Sequence, residues 1–329
     1  MNIKYKNSLH KALLFLAPVK QLYIKIANNK AYFFNDKLYI AYPVDENFTA
    51  CPHLPSMLSA IANIDDAFAI TNYKLWLTIT DDKTKATINC LDVNAIKTIN
   101  LDFKASIKVD NLLKTHIRNA LKTLDQKSNT KSYNGVLFTS NSVVGTNGLV
   151  LVESWHGLNL PISDTFISKD IAKIIATSKF DLTGLSTHPG VFVFHFDDAG
   201  VIASTVTDVN FPPYLSLFST KQLDVWAPPD DFFVGAKMLN SLTLNSTILL
   251  NEGVIKSGES SYQIDSLNAK LAIDFKLLNR IKEFCNQMAF DEERNCIYFF
   301  NDQVRGVLAG IKIGDKIKTD YDLDEDIPF

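Results

Sequence analysis

The sequence predicts an α+β fold in which one short helix followed by antiparallel strands recurs along the chain, with the helices on one side of the sheets. Two observations predict it. Helix-period apolar segments are few and short, six in all, starting near Tyr5, His53, Val109, Ser168, Asp230 and Asp274. Between them lie alternating or β-branched runs broken by hairpin-grade turns. The helix starts recur every 40–65 residues or so, a period that marks a repeated unit, and six units pair into three domains. The repeat is one of pattern, without visible sequence identity between units.

The strand runs justify the sheets. QLYIKIANNKAYFF from Gln21 turns at Asn-Asn, and KLWLTITDDKTKATINC from Lys74 turns at Asp-Asp-Lys. GVFVFHFDDAGVIAS from Gly190 turns at Asp-Asp-Ala-Gly, and STILLNEGVIKSGESSYQID from Ser246 turns at Asn-Glu-Gly and Ser-Gly-Glu. The helices carry charge in order. In VDNLLKTHIRNALKTLDQK, Leu113, Ile117, Ala120, Leu121 and Leu124 make the apolar stripe, and Lys114, Arg118 and Lys122 recur every fourth residue on its flank. In SKDIAKIIATSK, Lys169 and Lys173 stand beside Ile171, Ile174 and Ile175. In DFKLLNRIKEF, Lys276 and Arg280 stand beside Leu277, Ile281 and Phe284. For any one helix such a row is a solvated face. Shared by three, it fits helices laid across phosphates, with salt-sensitive and sequence-blind attraction.

Composition bounds the rest. A chain of 329 residues that is 47% hydrophobic buries a large core, and its length suits two or three domains. It lacks a run of 18 apolar residues, so no membrane partner is expected. The N-terminal MNIKYKNSLHKALLFLAPVK has basic flanks around a short apolar stretch but no small-residue cleavage site, so it does not read as an export signal. Cys51, Cys90, Cys285 and Cys296 lie far apart without a C-x-x-C pair, which suits reduced thiols in the cytoplasm. The net charge is −3; without the five acids of 320–326 the remainder carries +2.

No catalytic chemistry is legible. GDKIKT at Gly314 lacks the leading glycine of a phosphate loop, and G-x-G-x-x-G, H-E-x-x-H and G-x-S-x-G are missing. The six histidines have no ligand spacing. The pairs Asp65-Asp66, Asp81-Asp82, Asp197-Asp198 and Asp230-Asp231 fall in turns or at helix starts, where carboxylates cap and solvate. Ser154-Trp155-His156 is no triad, because neighbours on a strand point to opposite faces. The expectation is a binding protein with no catalytic residue, no metal and no cofactor.

The stretch Ser132–Ile175, SYNGVLFTSNSVVGTNGLVLVESWHGLNLPISDTFISKDIAKII, resembles the second domain of the bacterial DNA polymerase β sliding clamp. The family's N-G, T-D-G-H-R-L and L-P are met by Asn134-Gly135, Thr146-Asn147-Gly148-Leu149-Val150-Leu151 and Leu160-Pro161. Further on, VTDVNFPPYLSLF is similar to its D-G-R-F-P-D-Y segment, with Phe211, Pro212 and Tyr214 in place. Helix-strand pattern and the ending RGVLAGIKI extend the likeness to the last domain, whereas the first hundred residues match in outline. The resemblance implies three clamp domains, 1–104, 105–221 and 222–313, then a flexible acidic tail, 314–329. It implies a homodimeric ring around duplex DNA, with Lys114, Arg118, Lys122, Lys169, Lys173, Lys276 and Arg280 on the inner face. It also implies a groove for Q-L-x-L-F-type peptides of DNA polymerase and other partners. The walls would be Tyr133, Thr146, Gly148, Leu149, Leu151, Pro212, Leu217, Val307, Ala309 and Ile311, or else these residues are domain core. The family's His-Arg is Leu149-Val150 here and its Met-Pro-Met is Ala309-Gly310-Ile311, giving a more aliphatic rim. QLDVW at Gln222 and YLSLF at Tyr214 look like such peptides but read as structural connection.

The chain closes with YDLDEDIPF, and Asp324-Glu325-Asp326-Ile327-Pro328-Phe329 resembles the D-D-D-I-P-F tip of bacterial single-stranded DNA-binding proteins. Pro328 lowers the entropy cost of docking, and burying Phe329 contributes about 1.5–3 kcal/mol. The tip implies recruitment of the proteins such tails recruit: helicases, nucleases, recombination and polymerase factors. It also raises a rival reading, a clamp-fold protein that coats single-stranded DNA. The 22 Phe, 11 Tyr and 3 Trp would serve base stacking, but most lie in strand patterns that suit a core. The pairing of parts suggests a phage or mobile-element source.

Overall fold

All six expected helices form in the computed structural model, which describes residues 7–64, 68–98, 101–125, 130–219, 223–243 and 246–312. They are α1 Ser8–Leu16, α2 Leu54–Asn63, α3 Leu113–Leu121, α4 Lys169–Thr177, α5 Asp230–Leu242 and α6 Phe275–Ile281. Local chemistry sets their ends. Asn7 Oδ1 accepts from His10 N at 2.8 Å to start α1, which stops at Pro18. Asp274 caps α6 by accepting from Lys276 N at 2.6 Å and Leu277 N at 3.2 Å. Pro228 and Pro229 precede α5, and Asp230 and Asp231 fill its positive first turn. At 7 to 13 residues these helices are too short to persist alone and depend on packing against sheet.

The strands form four antiparallel sheets among the described residues, distributed over two compact units. One unit comprises Met1–Thr115 and Asp170–Thr207, the other His116–Lys169 and Asp208–Phe329. The first unit has a seven-stranded sheet ordered Lys25–Ala27, Lys30–Phe34, Leu38–Pro43, Val201–Thr205, Val191–Phe196, Leu182–His188 and Ile107–Lys108. Its second sheet runs Cys51–Pro52, Lys85–Leu91, Trp76–Thr80 and Ala69–Asn72. Val191–Phe196 is buried on both faces: Phe192 and Phe194 stack edge-on at 4.9 Å, while Val193 packs with Tyr32, Tyr39 and Ala203.

The second unit has an eight-stranded sheet ordered Thr165–Ser168, Gly135–Phe138, Ser142–Thr146, Val150–Trp155, Val304–Ala309, Cys296–Phe300, Gln287–Asp291 and Val225–Trp226. A four-stranded sheet, Ser260–Gln263, Val254–Ser257, Thr247–Asn251 and Lys270–Asp274, joins it through a common core. In that core α5 and α6 contribute Phe232, Leu239, Leu278 and Ile281, packed with Val152, Ile297, Phe299 and Leu308. Pleating sends Leu137, Val144, Leu151, Tyr298 and Val307 to the opposite sheet face, which Val209, Phe211, Leu217, Phe218 and Leu223 cover. The register pairs Leu151 with Val307 and Ser154 with Val304, so one sheet surface is built from two distant stretches of chain.

The four cysteines are buried and free, with burial pushing Cys90 up to about 11 and Cys285 to about 12. Among the described residues, no group of three or more His, Cys, Asp or Glu is placed to hold a metal ion. No described helix is long and apolar enough to cross a membrane. The acidic tail, including Asp324, Glu325, Asp326, Ile327, Pro328 and Phe329, lies outside the described residues.

Candidate functional site

The face of the eight-stranded sheet away from α5 and α6 carries an apolar groove in the second unit, with a cavity of about 40 Å³. Its floor comes from strands Val150–Trp155 and Val304–Ala309, where Leu151, Val307 and Ala309 share a face. One end is the turn between Thr146 and Val150. There Thr146 Oγ1 accepts from Gly148 N at 3.0 Å and donates to Val150 O at 2.9 Å. Asn147 Oδ1 accepts from Leu149 N at 3.0 Å and Val150 N at 2.8 Å. Gly148 has φ +88°, and a Cβ there would stand 2.9 Å from the Tyr133 ring. Glycine thus supplies the backbone the turn needs and the room for Tyr133 to line the groove.

The other wall is the crossing segment. Pro212, Pro213, Tyr214, Ser216 and Leu217 line the groove, the last three in the 3₁₀ turn Tyr214–Phe218. Tyr214 is buried, its ring 6.2 Å from Phe211, and burial reinforced by Glu153 pushes its phenol up to about 12. Leu217 O accepts from Tyr298 Oη at 3.0 Å, which ties the turn to the sheet. YLSLF is thus a structural element, as its sequence setting suggested. In QLDVW, Val225–Trp226 is an edge strand, while Gln222 lies outside the described residues.

Nine of the ten expected groove residues line this cavity: Tyr133, Thr146, Gly148, Leu149, Leu151, Pro212, Leu217, Val307 and Ala309. Ile311 does not. Its N–H donates to Ala272 O at 2.7 Å in an isolated bridge, which carries the chain to the strand Lys270–Asp274. Sequence reasoning missed Val150, Pro213, Tyr214 and Ser216 as lining. Pro213 and Tyr214 sit inside the quoted F-P-P-Y motif, so their signal was present in the run.

The expected cations do not behave alike. Lys114 is buried, and its Nζ donates to Ser178 O at 2.8 Å and Phe180 O at 2.9 Å, just beyond α4. Those carbonyls follow the negative end of the helix, a good seat for an ammonium but one closed to phosphate. Lys169 is buried as well. Lys122 pairs with Glu283 and lies 5.2 Å above the Phe284 ring. Arg280 Nη1 donates to Asp125 Oδ1 at 2.8 Å, and Asp125 Oδ2 accepts from Asn147 Nδ2 at 3.1 Å. Arg118, Lys173 and Lys276 are exposed. Burial thus separates residues that a four-residue spacing had grouped, because Lys114 and Lys169 lie at the margin of their apolar stripes.

The backbone places this chain among known structures. A putative DNA polymerase III beta subunit from Eubacterium rectale superposes with a TM-score of 0.76 at 13% identity, covering 94% of this chain and 98% of the other. The fold is that of a bacterial DNA polymerase β sliding clamp. The DNA polymerase III subunit beta of Pseudomonas aeruginosa gives a TM-score of 0.74 at 13% identity, with 94% and 99% coverage. The Helicobacter pylori beta clamp bound to a DNA ligase peptide gives 0.72 at 15% identity, again with 94% and 99% coverage. No family model and no curated protein sequence matches the chain. The clamp fold is therefore preserved here at an identity where side chains, rather than backbone, decide what a site takes.

Proposed function

We propose that the chain is a DNA sliding clamp, a non-catalytic processivity factor that encircles duplex DNA as a homodimer and tethers a polymerase through the groove. The observation that carries this reading is the groove itself. Residues from four separated stretches, near 133, 146–151, 212–217 and 307–309, converge on one apolar cavity in a clamp-fold chain. It suits a short peptide with an aliphatic and an aromatic side chain, since its lining is Leu, Val, Pro and Tyr with few polar groups. Leu149-Val150 where the family has His-Arg makes the rim less polar and favours peptides richer in apolar contacts.

In this reading the modules are 1–104, 105–221 and 222–313, and the protein works in the cytoplasm. Arg118, Lys173 and Lys276 supply the DNA-facing charge, with Lys122 and Arg280 in reserve behind their carboxylate partners. Lys114 and Lys169 hold the fold and make no phosphate contact. The tail, Asp324 to Phe329, recruits helicases, nucleases or recombination factors. The decisive experiment is topological. The protein should be retained on nicked circular duplex and lost when that circle is linearised. Tight, steeply salt-dependent binding to linear single strands, indifferent to topology, would instead establish the single-strand-coating alternative.

A further inference from the structure

A second concavity lies on the same sheet face and shares no lining residue with the groove. It is an open basin of about 370 Å³ whose walls include Trp155, Phe218, Leu223, Val225 and Tyr298, with Arg305 among them. Among the described residues, no acidic side chain lines it. Arg305 is held in a particular way. Its Nε donates to Glu153 Oε2 at 2.6 Å, and Glu153 is itself buried and accepts from Ser142 Oγ at 2.9 Å. The guanidinium carbon lies 4.0 Å from the Phe218 ring centre and 5.0 Å from that of Trp155. Both Nη groups are without a hydrogen-bond partner among the described residues. An arginine clasped between aromatic rings and anchored end-on keeps its fork set for an incoming carboxylate. Arg294 does not line the basin; its Nη1 donates to Tyr298 Oη at 3.3 Å from behind that wall. Val225, on the two-residue edge strand, is 56% exposed.

We propose that this basin is the docking site of the chain's own acidic segment, Asp320 to Phe329, in cis. The chemistry matches on both counts. Asp324, Glu325 and Asp326 supply carboxylates for the Arg305 fork, and Ile327 and Phe329 supply apolar side chains for the aromatic walls. Reach is ample. Arg305 lies in the strand Val304–Ala309, seven residues before Lys312, so the two are separated by at most about 25 Å of chain, whereas residues 313–329 can span about 55–60 Å. A tether of that length holds the segment at an effective concentration near the millimolar range. Docked there, the segment leaves the peptide groove open but is withheld from other proteins until one of them outcompetes the basin. The assignment stands whether or not the chain encircles DNA.

The test uses a fluorescein-labelled YDLDEDIPF peptide and the full-length chain, read by anisotropy. In a full-length variant carrying Asp324→Asn, Glu325→Gln, Asp326→Asn and Phe329→Ala, the vacated basin should bind the peptide at least tenfold more tightly than the unaltered chain does. Adding Val225→Glu or Arg305→Gln to that variant should weaken binding at least tenfold. Val225→Glu leaves the Arg305–Glu153 pair intact, so it stays informative if Arg305→Gln fails to fold. Equal binding by the unaltered and tail-substituted chains, or no effect of Val225→Glu, overturns the proposal. Tail-dependent self-association in sedimentation would assign the basin to a neighbouring copy's segment, and would overturn docking in cis.

Discussion

Gly148 carries two demands at once, a left-handed backbone and the space taken by the Tyr133 ring. Gly148→Ala should cost about 1–3 kcal/mol of stability from strain. It should also push Tyr133 out of the groove lining, weakening an anisotropy-measured Q-L-x-L-F-type peptide about tenfold or more. Asp125 is the next such point, since it links Arg280 to Asn147, whose Oδ1 orders the turn at Leu149. Asp125→Ala should lower peptide affinity about three- to tenfold, or roughly 0.7–1.4 kcal/mol. Leu149→Ala as well should add less than its own single effect if both act on one turn. His156 sets an acid limit. Burial first, then His116, depresses its pKa from 6.5 to about 4. Its Nδ1 accepts from Leu158 N at 3.2 Å, which requires the neutral ring. The unfolded chain therefore binds the proton first: stability is full above about pH 6.5 and falls as pH drops toward 4. Thermal melts between pH 7.5 and 4.5 should show that fall, and His156→Gln should flatten it.

At the scale of elements, the sequence was most legible where one period ruled. All six helices and the principal hairpins follow from apolar spacing and turn residues, because a helix stripe or strand alternation is a local property. The cation rows were legible as spacing but not as exposure. Whether Lys114 faces solvent depends on the carbonyls of Ser178 and Phe180, some 65 residues away, which no helix-local pattern reports. The same holds for Ile311, placed by a bridge to Ala272 rather than by the strand it follows. The two classes of lysine separate experimentally. Lys173→Glu together with Lys276→Glu should weaken duplex binding and lower the slope of affinity against salt by about two contacts' worth. Lys114→Met should lower the melting temperature yet leave that slope unchanged, because it removes only an internal donor. A salt slope that fell with Lys114→Met and held with the exposed pair reversed would refute the division.

At the scale of the molecule, the groove was legible because its residues belong to motifs with a fixed order, although they come from opposite ends of a long stretch of chain. The basin around Arg305 was not, since nothing in the spacing of Trp155, Phe218 and Arg305 announces that they meet. The clamp reading predicts a solution mass twice that of the 36.8 kDa chain, measurable by light scattering. A monomer at micromolar concentration would count against a closed homodimer. The pairing of Ser154 with Val304 has a consequence for synthesis. Two strands that must lie side by side are separated by about 150 residues, so contact between them is a late and slow event of folding. The binding surface therefore cannot exist until Ala309 has left the ribosome. Under the clamp reading, a nascent chain stopped short of that strand captures no polymerase, and only chains carrying both strands compete for it.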